Sequence, residues 1–339
     1  MEAFINYISY FLPDQTLTNL EIERQYPEWT IDKIASKTGI YSRHISGAEQ
    51  CASDLAISAA LKLIEEYSIE KSSIDYIILC TQSPDYFLPT TACIIQDKLG
   101  LNTSVGAIDI NQGCSGFIYS LGLAKGLIVS DQAKSVLVLT ADTYTKLINP
   151  KDKNNKTLFG DGAAATLVTN RPLGLGAKVN SFIYGTDGAG FDKLIVKNGA
   201  FRNKSIIGSD VYEEGVFVRN DQNLYMDGKA VFQFTNTVIP PVVKAVLERH
   251  SLTIEDISKF IFHQANKFML DKLRMKLTIP DEKFIFNADY IGNTVSSTIP
   301  IAMKMLIEKG EISRDEKILI SGFGVGLSYG ATILTIDKL

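Results

Sequence analysis

The stretch Asp109-Ile110-Asn111-Gln112-Gly113-Cys114-Ser115-Gly116-Phe117 combines a strand-like lead, a turn of small residues and the start of an apolar helical pattern. Cys114 would therefore stand at a helix N-terminus, where backbone N–H groups and the helix dipole favour a thiolate. The flanking glycines let a substrate approach the sulfur closely. The alternative is a small buried residue at a strand–helix corner, which is how we interpret Cys51, Cys80 and Cys93. For Cys114 the turn context favours a nucleophile.

On both sides of this stretch, apolar runs bounded by turn residues alternate with longer segments of helical period. This alternation predicts an α/β fold with buried strands. The strand-like runs include residues 76–80, 135–140, 259–262 and 317–320. The helical segments, with apolar residues three and four apart, include residues 52–67 and 240–249.

The second half of the chain echoes the first in a common order. The matched segments are 58–80 with 242–262, 134–139 with 317–320, and 162–168 with 330–336. We therefore predict two α/β halves, residues 1–172 and 173–339, while residues 198–221 fit neither and are expected to form an inserted loop or hairpin. Packed halves would bring equivalent strand ends together at their junction, where ligand sites of open α/β sheets lie.

Three polar or glycine-rich segments are expected at those strand ends. His263 follows a strand-like run and lies 149 residues after Cys114, although a lone histidine is more often structural. Asn293 occupies roughly the second-half position of Cys114, with helix capping as its alternative. The loop Gly322–Gly326 lacks the following βαβ unit of a dinucleotide site, so we interpret it as a donor of backbone N–H groups to an oxyanion. A thiolate, an imidazole, a carboxamide and such a loop together suit acyl transfer through a thioester.

Composition excludes several other classes of function. The formal charge of −4 and the absence of a long basic run argue against nucleic acid or an anionic membrane as partner. We find neither metal-ligand spacing nor a Gly-x-Ser-x-Gly elbow, and no apolar run reaches the ~18–20 residues of a membrane helix. Four cysteines without a C-x-x-C pair, and an N-terminus without a signal-peptide pattern, predict a cytoplasmic protein.

Together, four motifs carry a resemblance to a known family. They are Gly113-Cys114-Ser115-Gly116-Phe117, His263-Gln264-Ala265-Asn266, Gly292-Asn293-Thr294 and Gly322-Phe323-Gly324-Val325-Gly326-Leu327. In this order they resemble the 3-oxoacyl-acyl-carrier-protein synthase III family of the thiolase superfamily, over nearly the whole chain. The resemblance implies a five-layered αβαβα thiolase fold built from two pseudo-repeated halves, and a homodimer. It also implies a catalytic Cys114–His263–Asn293 triad and an oxyanion hole formed by the N–H groups of Cys114 and Val325.

The reaction that this family implies has two steps and needs no cofactor other than its thioester substrates. Cys114 takes an acyl group from a CoA or carrier-protein thioester, and a malonyl thioester then loses CO₂ and condenses with it to a 3-oxoacyl product. His263 and Asn293 would donate hydrogen bonds to the malonyl thioester oxygen. An alternative is a relative that passes the acyl group from Cys114 to an alcohol or amine. A third is a non-catalytic partner subunit, and plant-type polyketide synthases share the triad.

Some positions depart from the family pattern. Lys33 and Lys37 stand where a tryptophan and an arginine clamp coenzyme A in the housekeeping enzymes, and Lys153 replaces a further arginine. Trp29 is too far upstream to match the tryptophan without gaps. Because lysine loses planar stacking and bidentate bonding, we expect a starter or carrier other than acetyl-CoA. The expected setting is a secondary pathway, such as acyl decoration of a polysaccharide sugar or supply of a polyketide starter.

Further substrate contacts are expected at two places. Phe87 and Leu88 are predicted to line the acyl pocket, and Asn266 to contact substrate. The basic residues that follow the histidine motif are Lys267, Lys272, Arg274 and Lys276. They are expected either to form a solvated helix face or, as we favour, to dock an acidic acyl carrier protein.

Overall fold

The computed structural model of the protein describes residues 1–337. The α-helices are α1 Asn19–Gln25, α2 Ile31–Thr38, α3 Ala52–Glu66, α4 Thr91–Lys98, α5 Gly116–Val129, α6 Lys153–Lys156, α7 Gly228–Arg249, α8 Lys267–Lys276 and α9 Thr298–Glu308. The strands of the main sheet are β1 Phe4–Phe11, β4 Tyr76–Cys80, β5 Gly106–Ile110, β6 Ser135–Asp142, β7 Gly162–Thr169, β8 Ala177–Thr186, β13 Lys259–Phe262, β14 Lys317–Gly324 and β15 Ser328–Ile336. The short strands are β2 Thr16–Thr18, β3 Ser42–His44, β9 Leu194–Val196, β10 Asp210–Glu213, β11 Val216–Asn220 and β12 Leu224–Met226.

Within residues 1–337, the long strands form a nine-stranded sheet in the order β13-β14-β15-β8-β1-β7-β6-β4-β5. The pairing β4–β6–β7–β1, parallel and then twice antiparallel, recurs as β13–β14–β15–β8. In the first set, β5 pairs in parallel with the outer side of β4. In the second set, a single parallel bridge between Phe260 and Phe284 takes the corresponding place beside β13. This recurrence supports the division into residues 1–172 and 173–339, which we keep as a proposal; residues 338 and 339 lie outside the described part.

Helices cover and separate the two parts of the sheet. Helices α3 and α4 pack on the strands before residue 170, whereas α7 packs on β8, β14 and β15. Helices α5 and α9 contact strands of both parts and form the middle layer. The resulting order of helix, sheet, helix, sheet and helix is the expected αβαβα arrangement.

Most predicted elements match the structure, and two differ clearly in extent. The strands predicted at residues 76–80 and 259–262 are confirmed, and the region 198–221 contains the hairpin β10–β11. Helix α7 begins at Gly228, 12 residues before the prediction, because its interior prolines obscured the helical pattern. The expected glycine loop is mostly strand, since β14 continues to Gly324 and pairs with β15 up to Ser328.

Helix α7 is long and apolar enough to cross a membrane by length and composition alone. A core helix packed on a sheet meets the same two criteria. Here α7 buries Val231, Ile239 and Val243 and packs against β14 and β15.

Candidate active site

Cys114 lies in the turn between β5 and α5, and only 5% of its surface is exposed. The end of β14 packs directly against this turn. A Cβ added at Gly322 would lie 2.8 Å from the carbonyl oxygen of Cys114, and one at Gly324 would lie 2.9 Å from its Sγ. These two positions therefore require glycine because the nucleophile's turn occupies the space of a side chain.

The protonation state of Cys114 differs from the expectation of a thiolate. Burial raises the pKa of the Cys114 thiol to about 12, although N–H groups of Val325 and of Cys114 itself lie within hydrogen-bonding reach of the sulfur and act in the opposite direction. Burial therefore opposes the predicted stabilisation by the helix N-terminus, since a thiolate in this dry turn would lose its hydration. Cys114 is a neutral thiol at rest and needs a base.

His263 immediately follows β13 and is 2% exposed. Its Nδ1 lies 2.8 Å from the hydroxyl of Thr298, which donates to the carbonyl oxygen of Val295 at 3.2 Å. With that hydroxyl hydrogen committed, Nδ1 carries the ring proton and Nε2 is the free base. Burial lowers the pKa of His263 to about 3, so the imidazole is neutral. The sequence analysis missed Thr298, because four hydroxyl or small residues follow Asn293 and nothing in their pattern distinguishes this one.

Asn293 is held so that its amide nitrogen faces His263. Its Oδ1 accepts the N–H of Val295 at 2.9 Å, and its backbone N–H donates to Leu158 at 2.9 Å. Its Nδ2 then lies 3.5 Å from Nε2 of His263. The carboxamide therefore presents a donor beside the imidazole, as a pair that stabilises an oxyanion requires.

Cys114, His263 and Asn293 line one cavity of about 130 Å³. A groove of about 520 Å³ adjoins it, and four residues border both: Leu158, Gly228, Asn266 and Met269. Asn266, which caps α8 through a 2.9 Å bond from the N–H of Met269, is thus placed at the junction. This layout offers an extended thioester a route from the surface to the sulfur.

Trp29 lies at the rim of the groove. Trp29 lines the groove with Lys37, and the ammonium groups of Lys33 and Lys37 lie 5.2 and 5.5 Å from its ring centroid. Trp29 precedes α2, and both lysines lie on that helix. Lys33 also donates to the backbone of Glu28 at 2.9 Å, and Lys153 forms an ion pair with the Glu28 carboxylate.

Phe87 and Leu88 do not line this cavity, and their assignment to an acyl pocket stays a prediction. They are 77% and 82% exposed, and the ring of Phe87 lies 6.3 Å from that of Phe201. Both follow β4 in a surface loop. Large apolar side chains are usually covered by other protein surface, but the residue type does not say which surface covers them.

The basic residues of α8 differ in how accessible their charged groups are to a binding partner. Lys267, Lys272 and Lys276 are exposed, although Lys267 pairs with Asp271 at 3.0 Å. Arg274 instead turns toward its own chain, with an ion pair to Asp281 at 3.2 Å. Arg274 was predicted to face a carrier protein, and this ion pair makes it the least available of the four.

A buried carboxylate that the sequence analysis missed joins the Cys114 side of the site to the Asn293 side. Asp142 accepts the N–H of Gln82 and the hydroxyl of Ser296, both at 2.8 Å. Burial raises its pKa to about 7. Asp142 therefore ties the loop after β4 to the segment that follows Asn293.

Among residues 1–337, no three His, Cys, Asp or Glu side chains are grouped to hold a metal ion.

Comparisons with known proteins agree with this geometry. The family model "3-oxoacyl-[acyl-carrier-protein (ACP)] synthase III" matches residues 108–188, and its C-terminal counterpart matches residues 247–336. The beta-ketoacyl-[acyl-carrier-protein] synthase III of Clostridium perfringens is 36% identical over 326 residues, covering 96% of this chain and 97% of the relative. A solved 3-oxoacyl-(acyl-carrier-protein) synthase III is 43% identical with a TM-score of 0.95, covering 99% of this chain and 100% of that one. The enzyme of this name from Pseudomonas aeruginosa is 28% identical, with a TM-score of 0.86 over 100% and 99% of the two chains. This chain belongs to the 3-oxoacyl-[acyl-carrier-protein] synthase III family.

Proposed function

We propose that the protein catalyses a decarboxylative Claisen condensation between an acyl group carried on Cys114 and a malonyl thioester of acyl carrier protein or CoA. The observation that carries this proposal is the meeting of Cys114, His263 and Asn293 in one cavity that a surface groove adjoins. The relatives carry the name of this activity. Nothing in the site favours transfer to an alcohol or amine.

In the loading step, the thiol proton of Cys114 passes to Nε2 of His263 as the sulfur attacks the acyl thioester. The N–H groups of Cys114 and Val325 stabilise the tetrahedral oxyanion. Collapse of this intermediate expels the carrier's thiolate, which takes the proton back from His263. The step leaves an acyl-Cys114 thioester and a neutral imidazole, so it consumes no external proton.

In the condensation step, the malonyl carboxylate leaves as CO₂ and its electron pair becomes an enolate. Asn293 donates to the enolate oxygen. His263 donates from Nε2 in its other neutral tautomer, which forms when Nδ1 releases its proton to solvent, Nε2 takes one up and the Thr298 hydroxyl turns to donate to Nδ1. The carbanion attacks the acyl-Cys114 carbonyl and expels the Cys114 thiolate. One proton from solvent regenerates the thiol, so the atoms balance.

Substrate delivery is proposed to use the groove and its basic rim. Lys37 and Asn266 line the groove, and Lys33 and Lys153 lie on its rim beside Glu28. The exposed side chains of Lys267, Lys272 and Lys276 supply positive charge to an acidic carrier protein, with Arg274 in a supporting position. The lysine-rich rim supports a starter or carrier other than acetyl-CoA, in acyl-chain synthesis for a secondary pathway.

We further propose a cytoplasmic homodimer that needs no separate cofactor and acts without nucleic acid or membrane. Large apolar side chains exposed side by side support the dimer, because such patches mark interfaces. They include Tyr86, Phe87, Leu88 and Phe201. If Phe87 and Leu88 contact an acyl group, they do so from a second copy of the chain.

The proposal is tested by incubating the enzyme with an acyl thioester and malonyl carrier protein. Release of CO₂ with a 3-oxoacyl product and an acyl adduct on Cys114 is expected. Cys114→Ser abolishes the adduct, whereas Cys93→Ser, which removes an exposed thiol outside the cavity, leaves it unchanged. An acyl enzyme that transfers to an alcohol or amine without CO₂ release would contradict the proposal, and so would the absence of any adduct across a panel of thioesters.

A further inference from the structure

A fully buried hydroxyl in the catalytic cavity has no hydrogen-bond partner. Thr235 on α7 is 0% exposed and lines the cavity of the triad, and its Oγ1 makes no hydrogen bond. The next two residues behave differently: Asn236 donates to Phe232 at 3.0 Å and Thr237 donates to Gln233 at 2.8 Å, each one helical turn back. The helix thus offers carbonyl acceptors to side chains of this kind, and Thr235 uses none.

Other buried polar atoms without partners occur in residues 1–337, but of those only Thr235 belongs to the lining of the triad's cavity. Most of that lining is apolar, as with Leu194, Met226, Val231 and Phe323. A buried hydroxyl left without a partner has lost its hydrogen bonds to water with nothing in exchange, which destabilises the folded chain. A ligand that supplies an acceptor or donor here would recover this cost.

The residues of α7 that line the groove and the cavity show where Thr235 lies relative to the groove. Gly228 borders both the groove and the cavity, Phe232 lines the groove, and Val231 and Thr235 line the cavity alone. Thr235 is seven residues beyond Gly228, roughly 10 Å along the helix axis. Thr235 thus lies in the part of the cavity that the groove does not reach, and we take the acyl end of a thioester, rather than the arm that enters from the groove, to be the part that meets it.

We propose that Thr235 is a specificity-determining residue, whose hydroxyl hydrogen-bonds an oxygen on the chain of a short starter acyl group. The inference rests on the proposed function, because it assigns a substrate class to the same cavity. The substrates it favours are short hydroxyacyl or ketoacyl thioesters over purely hydrocarbon ones. A site that pairs a substrate hydroxyl rejects the analogue lacking it, since its own polar group is then left unpaired.

The thioester oxygens and the malonyl carboxylate are less suitable hydrogen-bond partners for the Thr235 hydroxyl. The thioester oxygens already have donors in the N–H groups of Cys114 and Val325 and in His263 and Asn293. The malonyl carboxylate loses its charge during decarboxylation, so a hydrogen bond to it stabilises the ground state more than the transition state and slows the step.

The test measures acyl loading of Cys114 from N-acetylcysteamine thioesters, which retain only the innermost part of the carrier arm. The matched pairs are 3-hydroxybutyryl with 3-methylbutyryl, and 4-hydroxybutyryl with pentanoyl, each differing by hydroxyl against methyl. The wild-type enzyme is expected to prefer the hydroxylated member of at least one pair by on the order of tenfold in kcat/KM. Thr235→Val removes this preference, Thr235→Ser keeps it, and Thr237→Val on the exposed face of the same helix leaves it unchanged.

The melting temperature separates loss of contact from loss of fold. Thr235→Val is expected to melt at or above the wild-type temperature, because it removes an unpaired buried hydroxyl. An unchanged preference in Thr235→Val overturns the inference, and so does an effect of this variant confined to malonyl decarboxylation. Wild-type loading of all four thioesters at equal rates overturns the inference alone, whereas no loading of Cys114 by any of them overturns the proposed function as well.

Discussion

Nδ1 of His263 lies 2.8 Å from Oγ1 of Thr298, which is 35 residues later in the chain. This contact sets the tautomer of the imidazole. While the hydroxyl donates to the carbonyl of Val295, Nδ1 keeps the ring proton and Nε2 is a base. If Nδ1 releases that proton and Nε2 takes one up, the hydroxyl can turn to donate to Nδ1, so the contact is compatible with the proposed roles of His263 as base in loading and as donor in condensation.

Replacing Thr298 by valine should impair both half-reactions, because the imidazole loses the partner that orients it. We expect kcat to fall on the order of tenfold with KM for the acyl thioester little changed. Thr298→Ser, which keeps the hydroxyl, should restore most of the activity. Separate stopped assays of acyl adduct and CO₂ release measure the two steps. Equal activity of the valine and serine variants would contradict a positioning role.

Asn293→Ala should leave acyl loading largely intact and impair the malonyl step by about 10²–10³-fold, the usual effect of losing one oxyanion donor. The physical reason is that Asn293 contacts His263 from the side opposite Thr298, so its loss leaves the base in place. Intact-mass measurement of acyl-Cys114 and the rate of CO₂ release distinguish the steps. Equal loss of both would show that Asn293 instead organises the whole cavity.

Gly324→Ala should abolish loading, because its Cβ would lie 2.8 Å from Cβ and 2.9 Å from Sγ of Cys114. We expect at least a ~100-fold loss in acyl-adduct formation, since small displacements of a nucleophile have effects of this order. Gly126→Ala is the matched control, as nothing lies within 4 Å of its added Cβ. Normal loading in Gly324→Ala would mean that the end of β14 is not held against the nucleophile's turn.

Acyl loading should be nearly independent of pH between about 5 and 9. The pKa of His263 is lowered to about 3 and that of Cys114 is raised to about 12, both mainly by burial. Raising the pH through this window therefore neither removes a proton from the imidazole nor ionises the thiol. The pKa of Asp142 is raised to about 7 by burial, and its charge raises that of Cys114 further, so ionisation of Asp142 keeps the thiol protonated. Free cysteine, whose thiol pKa is about 8.5, provides a reference that does accelerate with pH. A loading rate that rises tenfold per pH unit in this window would show direct attack by a pre-ionised thiolate.

The sequence by itself determined the features that depend on local pattern. Residues 76–80 and 259–262 are continuous apolar runs, and a buried strand is the structure that such short runs favour. The turn around Cys114, the residues after the strand ending at Phe262 and the glycines near Cys114 were all identifiable, because nucleophile, base and oxyanion loop each carry a local signature. The order of those signatures along the chain identified the family.

Only the tertiary structure decided the properties that depend on packing between distant segments. The neutral state of Cys114 follows from its burial beneath Gly322 and Gly324, which no helix-dipole argument contains. The contact of Thr298 with His263, the position of Trp29 beside the groove and the unpaired hydroxyl of Thr235 depend on neighbours on other elements or on the lack of one, and residue type encodes neither. The apolar character of Phe87 likewise indicates that its side chain is favourably removed from water, but it does not identify the surface that covers it.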